Sequence, residues 1–404
     1  MNPNLDKLHL YPFERLRDLF ATDTPPAGLK EIKLHIGEPQ HPTPRLIRDA
    51  LTNNLAGLAN YPTTNGSDDL RQSIADWIAR RYGIPPPDIA TQVLPVTGSR
   101  EALFAIAQAV IEPQHGKPSS QPIVISPNPF YQIYEGAALL AGARPFFLNT
   151  TPANNFLMDW SSVPAEIWQD CQLVYVCSPG NPTGKVMPLA DWQTLFELSD
   201  RYGFVIAADE CYSEIYFDAA QPPLGGMQAA RRLGRDDYRN LVMFSSLSKR
   251  SNVPGMRSGF VAGDAAIMKK FWLYRTYQGC AMSPPVQAAS AAAWRDEAHV
   301  QDNRRLYGEK FQQVTPIIAC HLHTGKPDAG FYLWASVAST GLSDTEFTRA
   351  LRHQYNVSVL PGSYLARDAA GANPGRDFIR IALVASVEEC LEAARRIAAF
   401  CESL

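Results

Sequence analysis

"NLVMFSSLSKRSNVPGMRSG", residues 240–259, runs from an apolar stretch into a segment of small residues that holds Lys249, Arg250 and Arg257. Leu241 to Phe244 are apolar at every position, the pattern of a strand covered on both faces rather than one with a wet side. A lysine just beyond such a strand is costly to bury as a cation. Desolvation lowers its pKa and makes the amine a usable nucleophile. In open parallel sheets the ligand crevice lies outside the carboxyl ends of the strands, so the end of every other apolar run bears on what Lys249 does.

Those runs are "VLPV" (93–96), "QPIVIS" (121–126), "ARPFFL" (143–148), "QLVYVC" (172–177), "FVIAAD" (204–209) and "SGFVAG" (258–263). They alternate with longer helical patterns such as "REALFAIAQAVI", where Leu103, Ile106, Ala107, Val110 and Ile111 fall on one stripe. This alternation predicts βαβ units building a mostly parallel sheet, an α/β fold with helices on both sides. After Pro284-Pro285 the texture changes to an Ala-rich helix (286–295), a charged helix, the alternating "GFYLWASV", the short runs "VSVLP" and "FIRIALV", and an amphipathic helix from Val387. We read a large unit over 46–285 and a smaller α/β unit made of 1–45 and 286–404.

At 404 residues the chain is long enough for two or three cores. A hydrophobic share of 46% and a charged share of 19% fit a globular enzyme. With 37 basic against 40 acidic residues there is no electrostatic footprint for nucleic acid or an anionic membrane. No apolar stretch has membrane-spanning length, and the N-terminus lacks a secretory h-region. Seven cysteines without a C-x-x-C pair fit reduced thiols and a cytoplasmic location, with no metal site expected. The eight histidines show no ligand spacing; His35 reads as structural and the rest as surface residues.

The strand ends collect a set. Thr97-Gly98-Ser99-Arg100 opens a helix after "VLPV", and a glycine and hydroxyl at a helix start make an anion site. Taken alone this is as well a plain N-cap, but Ser246, Ser248 and Arg257 can converge on the same phosphate. Neither a P-loop nor a G-x-G-x-x-G is present. "SPGNPTG" with Asn181 follows the fourth run, and Asp209 and Tyr212 close the fifth. An acid at the end of an apolar strand can hold a heteroaromatic nitrogen protonated, the pairing expected for pyridoxal phosphate with a Schiff-base lysine.

With these residues in hand, the chain resembles the fold-type I pyridoxal-phosphate aminotransferases of classes I and II. The resemblance runs through "LHIGEPQHPTP", "YPTTNGSDDLR", "TGSREAL", "SPNPFYQIY", "SPGNPTG", "ADECYSEIYF", "SLSKRSNVPGMRSG", "GFYLWASV" and "FIRIALV". It implies a three-layer large domain with a small domain that closes over substrate, and a homodimer with shared active sites. It implies Lys249 as the cofactor-linked lysine and proton shuttle, Asp209 as the partner of the pyridine nitrogen, and Asn181 and Tyr212 as donors to the ring's phenolic oxygen. It makes Tyr131 the stacking aromatic and assigns the phosphate to Gly98, Ser99, Arg100, Ser246, Ser248 and Arg257, with Tyr61 reaching the neighbouring subunit's phosphate. Arg380 would bind the substrate α-carboxylate, bidentately as lysine cannot, and Gly37 would pass its backbone close to substrate. Tyr131 could equally be a core aromatic, and Arg100 could lend only its backbone.

Two departures narrow the resemblance: Arg250 directly after the lysine, and Asn252 where many members have glycine. With the opening "MNPNLDKLHLYPFERLRDLF", these make the chain most similar to the bacterial N-succinyl-diaminopimelate aminotransferases, which take the amino group of N-succinyl-L,L-2,6-diaminopimelate to 2-oxoglutarate. Aspartate-, aromatic- or kynurenine-type transamination and carbon–sulfur lysis are the alternatives. A dianionic donor needs a second cation, for which Arg250 or a basic residue from the partner subunit is the candidate.

Overall fold

The computed structural model describes residues 1–113 and 121–404. Its strands are β1 (Ile32–Lys33), β2 (Val93–Val96), β3 (Ile123–Asn128), β4 (Arg144–Asn149), β5 (Cys171–Cys177), β6 (Val205–Asp209), β7 (Leu241–Ser246), β8 (Gly259–Gly263), β9 (Tyr332–Ser336), β10 (Val357–Ser358), β11 (Leu360–Pro361) and β12 (Phe378–Ala382). Seven of them form one sheet in the order β2-β8-β7-β6-β5-β3-β4. The pairs from β7 through β4 are all parallel, whereas β8 is antiparallel to both its neighbours. The mostly parallel α/β sheet expected from the sequence is therefore present.

Its strands are apolar throughout because successive side chains enter different cores. Leu173 and Tyr175 of β5 join one cluster while Val174 and Val176 join the other. Val242 and Phe244 of β7 likewise face away from Leu241 and Met243. The first face is covered by helices Ser99–Val110, Ile133–Leu140 and Ala265–Gln278, the second by Asp68–Tyr82, Leu189–Tyr202, Gly226–Arg232 and Pro284–Arg295. The result is three layers. The Ala-rich helix Pro284–Arg295 packs Ala289, Ala293 and Trp294 into the core of this sheet, although the sequence division begins the smaller unit at 286.

A second core gathers under the three-stranded sheet β11-β12-β9, with the helices Ala298–Ala319, Asp344–Tyr355 and Val387–Glu402. The N-terminal segment reaches it: β1 pairs in parallel with β10, Ile32 and Leu34 join its core, and Asp23 pairs with Arg352. Among the described residues, no helix is long and apolar enough to cross a membrane.

Candidate active site

The direction of β8 explains how Arg257 reaches the site. Because β8 runs antiparallel, its first residue, Gly259, lies opposite both Val96 of β2 and Ser246 of β7. The turn before β8 therefore stands at the same rim as the carboxyl ends of β2, β5, β6 and β7. Arg257 takes a left-handed backbone, φ 54°, and donates from Nη1 to the Pro254 carbonyl at 2.9 Å. Gly98 has φ +106°, and a Cβ there would lie 2.1 Å from Arg257 Nη2. A bare backbone at 98 leaves the guanidinium its present place in the cup and adopts a φ that side-chain-bearing residues rarely take. Ser246 Oγ bonds Ser248 Oγ at 3.0 Å on one side of it, and Cys211 Sγ bonds Ser99 Oγ at 3.0 Å on the other.

The cup is one end of a cleft of about 560 Å³ that brings together Gly37, Ser99, Arg100, Tyr131, Asn181, Asp209, Tyr212, Ser246, Ser248, Lys249, Arg257 and Arg380. Gly98 sits behind Arg257, outside the lining. Tyr61 is not brought in: its side chain is fully exposed.

Lys249 follows β7 on a four-residue helix, Leu247–Arg250. Its Nζ donates to the Gly37 carbonyl, and burial pulls its pKa down to about 8. Asp209, at the end of β6, is 4% exposed and accepts from the Tyr134 hydroxyl at 2.7 Å and the Cys211 N–H at 3.2 Å. Burial pushes its carboxyl pKa up, opposed by those two bonds. Tyr212 shares a 2.9 Å hydroxyl contact with Tyr332, and burial raises both phenols. On the central strand of the smaller sheet, Arg380 donates to Asn181 Oδ1 at 3.0 Å and to the His35 carbonyl at 2.9 Å, with its guanidinium 4.4 Å from the Tyr332 ring centroid. Its buried Nε has no hydrogen-bond partner among the described residues. Tyr131 accepts from Arg100 Nε, so the Arg100 side chain lies in the cleft as well as its backbone.

Two sequence readings are corrected. Arg250 does not face the cleft: it is 1% exposed, packed beside the touching rings of Trp77 and Trp294, and bonded to the Ala293 and Asp296 carbonyls and to Glu297 at 2.6 Å. A guanidinium buried here, with both terminal nitrogens hydrogen-bonded, anchors the lysine loop and cannot meet a substrate carboxylate. The second concerns the histidines, of which His115 lies outside the described residues. His41 and His299 are not surface residues but part-buried hydrogen-bonding groups. Burial, then the Arg380 charge, lowers the His35 pKa to about 4. Asn252 sits at φ 52°, a left-handed position that glycine fills readily and asparagine tolerates.

The sequence reading missed Tyr11, Phe13, Cys211, Leu365 and Tyr332 in the cleft wall, and Tyr134 behind Asp209. Tyr134 stands one helical turn from Tyr131, a spacing that could have suggested it. Among the described residues no cluster of three or more His, Cys, Asp or Glu could hold a metal ion.

A lysine amine, a buried strand-end carboxylate and a glycine-backed anion cup around one cleft define an enzyme of the pyridoxal-phosphate type, and the residues present fit that cofactor. The sequence profile of the class I and II aminotransferases matches residues 30–397. The chain belongs to this family, whose members use pyridoxal phosphate. It is 30% identical over 393 residues to the LL-diaminopimelate aminotransferase of Moorella thermoacetica, covering 96% of this chain and 95% of that one. An aminotransferase from Neisseria meningitidis superposes with a TM-score of 0.94 at 52% identity, covering 99% of this chain and all of that one. A probable N-succinyldiaminopimelate aminotransferase from Thermus thermophilus superposes with a TM-score of 0.82 at 25% identity, over 97% and 98% of the two chains.

Proposed function

We propose that this aminotransferase moves the amino group of a diaminopimelate-type donor to 2-oxoglutarate, with N-succinyl-L,L-2,6-diaminopimelate as the donor. The observation that carries the amino-acid part is Arg380, held by Asn181 and the His35 carbonyl in the same cleft as the Lys249 amine. A guanidinium fixed beside a reactive amine suits an α-amino carboxylate, because it accepts the carboxylate and leaves the Cα hydrogen near Nζ.

On this reading pyridoxal phosphate supplies an aldehyde and an electron-accepting ring. Lys249 would hold that aldehyde and, once the incoming amine has displaced it, would move the proton at the substrate Cα. Asp209 keeps a proton on the ring nitrogen, steadied by Tyr134 and the Cys211 N–H. Asn181 gives its oxygen to Arg380, which frees its amide N–H for the phenolic oxygen that Tyr212 also serves. Ser99, Ser246, Ser248 and Arg257 hold the phosphate, Gly98 making room, and Tyr131 covers the ring. Two copies form a homodimer in which Tyr61 reaches the neighbouring phosphate; its full exposure here supports that role. The cleft lies between the two units, 46–285 and 1–45 with 286–404, with the helix Pro284–Arg295 reassigned to the larger one, and the seven unpaired thiols are in keeping with the cytoplasm.

The succinylated donor is supported by the resemblance of the N-terminal motifs and by the Thermus neighbour's name. The names of the curated relatives favour a second reading, free LL-diaminopimelate. A panel of amino donors with 2-oxoglutarate, read as glutamate formed, tests both. The succinylated donor should give the highest kcat/KM, ahead of LL-diaminopimelate, aspartate, aromatic amino acids and kynurenine. A panel led by any of these others would refute the assignment, and pyruvate or sulfide released from cystathionine without glutamate would make the protein a lyase.

A further inference from the structure

A chain of hydrogen bonds outside the cleft ends on the lysine loop. Lys310, 1% exposed, lies 2.7 Å from His41 Nε2; His41 Nδ1 lies 2.7 Å from Asn303 Oδ1; Asn303 Nδ2 donates to the Lys249 carbonyl at 3.3 Å and the Arg250 carbonyl at 3.5 Å. The direction of every bond is fixed by the first. Burial pulls the Lys310 pKa down to about 8, so at neutral pH it is still an ammonium, which only donates; His41 Nε2 then accepts, its proton sits on Nδ1, and Nδ1–H must find an oxygen. That oxygen is Asn303 Oδ1, which also accepts from Asn252 Nδ2 at 3.0 Å. The amide nitrogen of Asn303 is thereby turned toward the last carbonyls of a four-residue helix too short to satisfy them itself.

The same N-terminal segment touches the other end of Lys249. Gly37, four residues before His41, receives the Nζ hydrogen bond, while Thr43 Oγ1 bonds the Asn252 carbonyl at 3.1 Å. One stretch of chain, 37–43, thus meets the lysine's amine directly and its backbone through Asn303. We propose that His41, oriented by Lys310, is a positioning residue for transamination: through Asn303 it fixes the Lys249 backbone in register with the segment that receives the Lys249 amine. Burial, then the Lys310 charge, lowers the His41 pKa to about 4, so the ring is neutral and able to accept across the neutral range.

This inference rests on the proposed role of Lys249 but not on the choice of donor. The test uses the full-length protein loaded with pyridoxal phosphate. His41→Phe removes both ring nitrogens and is expected to lower kcat roughly tenfold or more while leaving KM for 2-oxoglutarate within about twofold. It should also displace, by about half a pH unit or more, the midpoint at which the bound cofactor's visible colour changes with pH. His41→Gln, whose amide offers one acceptor and one donor, should restore kcat to within about threefold of the parent. Lys310→Met keeps the ring and should show the same two defects in milder form, which covers the case of a misfolded His41→Phe. Variants that lose thermal stability but keep kcat and the colour midpoint would reduce the network to packing and overturn the proposal. If no donor is transaminated by the parent protein, the proposed function fails, while the colour midpoint still decides the relay.

Discussion

Lys249 is a base whose charge the fold suppresses, and its chemistry follows from that. With its pKa pulled down to about 8 by burial, the amine of cofactor-free protein becomes neutral as pH rises through 8, not 10. The rate at which cofactor-free protein captures pyridoxal phosphate should therefore climb with pH and level off above that point; a rise that continues toward the ordinary lysine range would contradict the burial argument. Gly98→Ala pushes a methyl to 2.1 Å from the Arg257 guanidinium at a φ that alanine resists, and should weaken pyridoxal phosphate binding at least about tenfold by equilibrium dialysis. Lys249, Asp209, Asn181 and Tyr212 were legible because each closely follows an apolar run, and strand ends converge in an open sheet; Arg257, which precedes a run, was read as a cation able to join the phosphate cup, and Arg380 came from the family resemblance alone. Tyr332 was not: it is an ordinary aromatic on an alternating strand, and its weight comes from a hydroxyl seated where a Gly37 Cβ would lie at 1.8 Å, a contact across 295 positions.

At the level of elements, the loop after Lys249 is tied down by helices that come much later in the chain. Arg250 packs beside the Trp77 and Trp294 rings and bonds the end of helix Pro284–Arg295, and Ser251 meets His299 at 2.8 Å. Arg250→Ala leaves two carbonyls and Glu297 without their donor, and should cost about 3 kcal/mol of stability by denaturant unfolding. KM for dicarboxylate substrates should stay unchanged in the fraction that folds. The sequence presented Arg250 as a free cation beside the lysine because nothing local shows that two tryptophans, 173 residues before it and 44 after it, pack against it. The strands themselves were readable to within a residue or two, since doubly covered strands need apolar side chains at every position. The antiparallel direction of β8 was not, because an apolar pentapeptide carries no mark of which way it runs.

For the whole molecule, the exposed apolar side chains bear on assembly. Leu55, Leu58, Tyr61 and Tyr277 are 49%, 65%, 102% and 87% exposed, apolar surface that a second copy would cover. If they meet a second copy, as the proposed homodimer requires, sedimentation should give twice the 44.6 kDa chain mass, and Tyr61→Ser should loosen cofactor binding without altering the subunit's own unfolding midpoint. A monomer at micromolar concentration would remove the shared site. Cys320, the exposed one of the seven unpaired thiols, follows the helix Ala298–Ala319 that carries Asn303 and Lys310. A maleimide dye attached there would light up that helix from outside, so the lysine loop's anchorage could be watched in real time while substrate is mixed in.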